Sequence, residues 1–279
     1  MQKRRTSFYI YIAVMAVLTI ALAAFRTVTL AQSISGNMSL KVFSEAFYTS
    51  DTVYKISIPV FILLSALVLI FVCKKKTVML SPTESKGGKT AALICGVGFL
   101  LCGIMMFMGW FAEVGKGGIG LLNFARLLCV LLIFPCGIYF LDIFFGFLKK
   151  EKIWLFALCL PVWASLQIVT EYFNSYFAFH NPIRASGNVA LACAILFLLP
   201  EARANLAYPC GRFFMAITAA LPCLVALHIL PLVLTLPLIL HTDVLFFSFE
   251  LLPDMILLPL LIYMTARCFA SLKKITENN

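Results

Sequence analysis

Long apolar runs separated by short polar segments dominate the chain. Six runs are long enough to cross the hydrocarbon core of a bilayer as helices: 8–25, 53–72, 91–111, 121–148, 153–170 and 249–270. Two more spans must borrow polar residues. Val189–Leu199 is too short to cross alone, but Asn181-Pro182 is a good helix start. A helix over 182–204 would rise about 34 Å at 1.5 Å per residue. The run 213–240 carries Pro222, Pro231 and Pro237. As one helix it would be about 42 Å long, more than the core thickness. The expectation is one span over 212–229, followed by a broken segment over 230–248 lying on or dipping into the outer interface. The pattern predicts an all-α, polytopic integral membrane bundle of eight transmembrane helices and a single domain.

Composition agrees. The chain is 62% hydrophobic and 12% charged, against about 25% charged in soluble domains. A soluble fold of 279 residues could not hide so much apolar surface. The net charge of +10 is not a nucleic-acid signal, because the lysines and arginines cluster at the ends of apolar runs. With the N-terminus inside, sixteen of the twenty-two fall in inner segments, so both termini are expected to be cytoplasmic. The basic start MQKRR resembles a secretory signal, but the run behind it is longer than a signal core and reads as an uncleaved span. The longest extramembrane piece, Arg26–Thr52, is too short to form a domain.

Several motifs look like chemistry and read better as structure. GKGGIG, Gly115–Gly120, lacks the strand before it and the acidic residue after it that a dinucleotide site needs. SKGGKT, Ser85–Thr90, lacks the first glycine of a phosphate loop. Cys95 and Cys102, and Cys129 and Cys136, are each seven apart and share helix faces, as packing residues do. His180, His228 and His241 show no metal-ligand spacing, and nothing implies a cofactor. The expected surroundings are the lipid bilayer, with a small-molecule or ion ligand and no nucleic acid. No protein partner can be named.

Ionisable residues within spans are costly in lipid and mark candidate sites. Near the outer ends these are Asn123 and Arg126, Gln167 and Glu171, Arg184 and Asn188, and Glu250 and Asp254, each pair three or four apart on one helix face. Together they could line an outward-facing polar pocket, with Glu171 and Arg184 as an ion pair or ligand clamp. The competing reading makes them interface anchors. At the inner end, Asp142 and Arg203 are a candidate pair.

Glu171, then Asn181-Pro182, an apolar run and EAR at Glu201–Arg203 resemble a group of uncharacterised multi-span membrane proteins of clostridial Firmicutes, over residues 171–267. That resemblance implies a bacterial cytoplasmic membrane and no particular activity. The chain shows no nucleophile–base pair or metal set, so an enzyme is not expected. A small transporter or permease-like protein is the first reading. A non-catalytic membrane sensor or assembly scaffold is the alternative.

Overall fold

The computed structural model describes residues 2–37, 43–72, 76–77, 85–117, 120–147, 150–173, 181–205, 210–242 and 251–277. In order these form α1 (Gln2–Asn37), α2 (Glu45–Val72), β1 (Lys76–Thr77), α3 (Lys86–Gly117), α4 (Leu121–Phe145), α5 (Lys150–Tyr172), α6 (Pro182–Asn205), β2 (Cys210–Gly211), α7 (Arg212–Thr242), α8 (Leu252–Met255) and α9 (Leu257–Glu277). Eight helical stretches are long and apolar enough to cross a membrane, the eighth being α8 and α9 together over Leu252–Lys274.

The surface shows what surrounds the bundle. Val17, Met108, Phe111 and Leu121 project outward, Leu121 with 86% of its surface exposed, whereas Arg26, Asp51, Asp142, Glu201, His228, Asp254 and Arg267 are buried. Water would favour the reverse arrangement. A hydrocarbon solvent favours this one, because backbone bonds close within each helix and charges withdraw to the interior. The protein is therefore a multi-pass membrane protein.

Contacts between successive helices show that they alternate in direction, so one end of the bundle holds the start of α1 and the end of α9 (the proximal end) and the other the ends of α1, α3, α5 and α7 (the distal end). At the proximal end β1 pairs antiparallel with β2, tying the α2–α3 connection to the α6–α7 connection. Helix α7 is the hub and packs against α1, α2, α6 and α9, while α3, α4 and α5 form a flank closed by α5 on α6 and α9 on α3. The flank is packed tightly because glycines let the backbones close. A Cβ on Gly96 would stand 2.9 Å from Leu141, and one on Gly98 2.7 Å from the ring of Pro259. Buried aromatic rings fill the centre: Phe99 against Phe140 and Trp163, and Phe140 against Tyr263.

Four helix limits differ clearly from the sequence expectation. Helix α1 does not stop near Phe25 but runs to Asn37, and α2 begins at Glu45, before Asp51. Most of Arg26–Thr52 is thus helical rather than extramembrane chain. Thr27 and Thr29 satisfy their hydroxyls on carbonyls one turn back, so they ride within α1 at little cost. Helix α3 starts at Lys86, with Ser85 accepting the backbone N–H of Gly88, so SKGGKT is a helix start. Helix α7 continues through Pro222, Pro231 and Pro237 to Thr242 in place of the expected break after Ile229. Each proline removes one N–H, but in apolar surroundings no water competes for the freed carbonyl, so the helix persists. Its apolar part, Ile217–Leu240, is about 36 Å long and fits a bilayer with modest tilt. The described part of the expected broken segment is helix, and 243–248 lie outside the described residues.

The eighth span is continuous apart from one irregular turn at Ile256, whose backbone stays right-handed helical. Helix α8 ends at Met255, Ile256 turns with its N–H bonded to the carbonyls of Pro253 and Asp254, and α9 begins at Leu257.

Candidate functional site: a buried polar chain at the distal half

Helix α6 opens as its sequence dictates. Asn181 Oδ1 accepts the backbone N–H groups of Ile183 at 2.9 Å and Arg184 at 3.4 Å, and Pro182 occupies the first turn. This cap fixes the rotation of the helix. Arg184 turns toward α5, and Ser186 turns toward α1 and α7.

On the α5 side, Arg184 Nη2 donates to the backbone carbonyl of Glu171. Gln167 Nε2 donates to Glu171 Oε1 at 3.2 Å along the same helix. Gln167 and Arg184 are buried and Glu171 is half-buried. Gln167, Glu171 and Arg184 therefore meet, with the Glu171 side chain receiving Gln167 and its backbone carbonyl receiving Arg184. On α4, Arg126 and Asn123 are half-buried. Trp110 Nε1 donates to the Asn123 carbonyl at 2.8 Å, and both Arg126 and Glu171 lie within electrostatic reach of Cys129.

On the other side of α6 lies a cluster that sequence spacing does not reveal. The Arg26 guanidinium, from α1, is only 4% exposed. Its Nη2 donates to Ser186 Oγ at 2.9 Å and to the Pro182 carbonyl at 3.4 Å, and stands 3.5 Å from Asp51 Oδ1 of α2. The guanidinium lies over the Tyr54 ring at 4.5 Å and the Phe47 ring at 5.5 Å, a geometry in which the ring faces attract the cation. The other oxygen of Asp51 takes Lys55 Nζ at 2.9 Å, with Lys55 itself 63% exposed. Ser186 Oγ continues the chain to His228 Nδ1 of α7 at 2.9 Å. His228 Nε2 stands 3.1 Å from Asp254 Oδ2, off the line of a straight ring N–H bond. Asp254 sits over Gly187: a Cβ there would come within 3.3 Å of Oδ1.

The order is Lys55, Asp51, Arg26, Ser186, His228, Asp254. It crosses from α2 through α1, α6 and α7 to α8, and ends just before the irregular turn at Ile256. An apolar cap of Leu30, Ile34, Phe43, Phe47, Ile183, Leu232, Ile239 and Leu251 covers it distally. Several of its polar atoms have no hydrogen bond among the described residues: Arg26 Nη1, Tyr54 OH, His228 Nε2 and Asp254 Oδ1. Buried unsatisfied groups of this kind are costly.

A second buried cluster lies toward the proximal end. Arg267 of α9 donates to Glu201 of α6 through Nε and Nη2, at 3.2–3.3 Å to the two carboxylate oxygens, and Tyr263 OH donates to the same carboxylate. Arg267 is fully buried.

The expected pocket residues are thus divided. Gln167, Glu171 and Arg184 form one group. Asp254 belongs to the Arg26–His228 chain instead. Asn188 is half-buried on α6 with its Oδ1 unbonded among the described residues. Glu250 lies outside the described residues. Of the expected inner pair, Asp142 is buried in α4 and Arg203 is exposed at the end of α6, and the ion pair at that end joins Glu201 to Arg267. The reason is direction. Residues 201 and 203 point to different faces of α6, and the one turned inward is the acid.

The thiols of Cys95, Cys102, Cys129 and Cys136 are free, and each is buried or half-buried. Among the described residues no three His, Cys, Asp or Glu side chains converge as a metal site would require. No protein-family model, curated protein or solved structure matches the chain.

Proposed function

We propose that this membrane protein is a small transporter of permease type, held closed at both ends by buried charged clusters. The observation that carries the reading is the buried polar chain from Asp51 through Arg26, Ser186 and His228 to Asp254. Charged side chains turned into the interior of a membrane bundle mark substrate and ion pathways in many transporters. The distal gate is the Arg26–Asp51 and His228–Asp254 set under its apolar cap. The proximal gate is Glu201 with Arg267 and Tyr263. The same two elements, α6 and the α8–α9 span, contribute to both. Ser186 and Glu201 are separated by about 22 Å along α6, so a tilt of that pair opens one gate as it closes the other.

The fork between Glu201 and Arg267 uses both carboxylate oxygens. That is how a static helix clamp would look, and it favours the scaffold alternative. Reciprocity separates the two. Single cysteines replace Leu232 under the distal cap and Leu198 near the proximal cluster, both buried, in a cysteine-free background. Labelling follows in right-side-out and inverted vesicles. A transporter requires that Asp51→Asn raise labelling at 232 and lower it at 198, and that Glu201→Gln do the reverse. Equal changes at both positions, or none, would leave the scaffold reading in its place.

A further inference from the structure

We infer that Ser186, His228 and Asp254 form a proton-binding site that loads and unloads by rotation of one hydroxyl. Ser186 Oγ has four partners at 2.9 Å: Arg26 Nη2, His228 Nδ1 and the carbonyls of Pro182 and Ile183. A hydroxyl has one proton to give and two lone pairs to receive. Arg26 cannot accept, so it fills one lone pair in every state. With His228 neutral and Nδ1 bare, the Ser186 proton points to Nδ1. With His228 protonated, Nδ1–H fills the second lone pair, and the Ser186 proton swings to the Pro182 or Ile183 carbonyl. Both states satisfy the Ser186 hydroxyl on the same heavy-atom positions. Carbonyls three and four residues back are within reach of other helical hydroxyls here, such as Thr29 and Thr235; what sets Ser186 apart is that Arg26 and His228 also reach the same oxygen.

The far side of the ring is built for the charged state. Asp254 Oδ2 lies 3.1 Å from Nε2, and the carboxylate can come this close because residue 187 is glycine. Neither Nε2 nor Oδ1 has a hydrogen bond among the described residues, so a small ring rotation on protonation would straighten an N–H bond to the acid. The other charged and titratable groups nearby are Arg26 from α1 and, behind it, Asp51 and Tyr54 from α2, with Cys193 of α6 near Tyr54. Lys55 reaches Asp51 from the exposed side. The titratable groups of α9 include Tyr263 and Arg267, which gather at Glu201 away from this site. Arg26 and Lys55 both lie against Asp51, which leaves Asp254 as the acid that faces the imidazole. One proton enters on Nδ1 from water and leaves to water, with no other bond made or broken. The gap beside the site, lined by Arg26, Phe47, Ile183, Ser186, His228 and Leu232, is too small to hold a water molecule, so proton exchange requires the distal cap to open.

This site shares its residues with the transport reading, but proton binding and reciprocal opening are read separately. The test is nitrogen NMR of ¹⁵N-histidine-labelled full-length protein in lipid nanodiscs, titrated across the physiological pH range, with His180→Gln and His241→Gln leaving His228 as the single signal. Two forms are expected, one with Nδ1 bare and one with both nitrogens protonated. Asp254→Asn should remove the doubly protonated form, and Ser186→Ala should shift the midpoint, whereas Ser186→Thr should restore it. Should the double histidine variant not fold, the wild-type titration with a His228→Gln spectrum for assignment reads the same signals. A single form throughout, or a proton on Nδ1 at every pH, would overturn the site while leaving the vesicle experiment to judge transport. Titration of His228 without reciprocal labelling would keep the site and remove the transporter.

Discussion

Arg26 of α1 and Asp51 of α2 face each other at 3.5 Å inside a bundle whose outer surface is apolar. Neither charge has water to turn to, so each depends on the other and on Ser186 and Lys55. Removing one partner of a buried pair leaves the other uncompensated and costs about 3–5 kcal/mol. Arg26→Gln and Asp51→Asn should each lower the midpoint of thermal unfolding in detergent by several degrees. Lys55→Ala, at the exposed rim, should cost less than about 1 kcal/mol. A small effect at Arg26 would mean that the guanidinium reaches solvent.

Glu201 and Arg267 should behave as a unit. A double-mutant cycle with Glu201→Gln and Arg267→Gln is expected to give a coupling of about 1–3 kcal/mol, because the two share three hydrogen bonds. The cycle on Asp142→Asn and Arg203→Gln should be additive within about 0.5 kcal/mol, since Arg203 is exposed and Asp142 buried. Strong coupling in the second cycle would restore the inner pair that sequence alone suggests.

The contrast between these pairs shows what a linear reading can reach. The helices, and the start of α6, were legible because the signals are local. Apolar length gives the spans, and Asn181-Pro182 gives the cap that the structure displays. Gln167, Glu171 and Arg184 were legible because one short connection brings α5 and α6 together. Arg26, Asp51, Ser186, His228 and Asp254 come from five helices, and no spacing along the chain relates them. Arg26 was further hidden by the threonines after it, which make the apolar run look finished although α1 continues. One signal was available. Asp51 and Lys55 sit four apart, a helical pairing that places the start of α2 upstream of residue 53.

Orientation follows from charge rather than from the bundle itself. Sixteen of the twenty-two lysines and arginines fall in the segments that lie inside if the N-terminus is inside, and the positive-inside rule then predicts a cytoplasmic proximal end. Cysteines replacing exposed Lys274 and exposed Glu45, in a cysteine-free protein in intact cells, should label oppositely with an impermeant reagent: 45 strongly, 274 only after permeabilisation. The reverse pattern would invert both gates, and labelling of both would break the eight-span count.

Gly187 and Gly98 separate two uses of a missing side chain. At Gly98 a Cβ would stand 2.7 Å from Pro259 Cγ and 2.8 Å from its Cβ. A proline ring cannot rotate away, so Gly98→Ala must push α3 from α9, at a cost of about 1–3 kcal/mol. At Gly187 the added methyl would meet the Asp254 oxygens at 3.3 and 3.5 Å and His228 Cε1 at 3.5 Å. Those contacts are tight but not impossible, and the side chains can yield by a few tenths of an ångström. Gly187→Ala should therefore change thermal stability less than Gly98→Ala, yet displace the carboxylate from the imidazole and alter the His228 titration. Equal loss of stability in both variants, with the His228 nitrogen signals unmoved by Gly187→Ala, would show that the glycine at 187 serves helix packing and has no part in holding Asp254 against the ring.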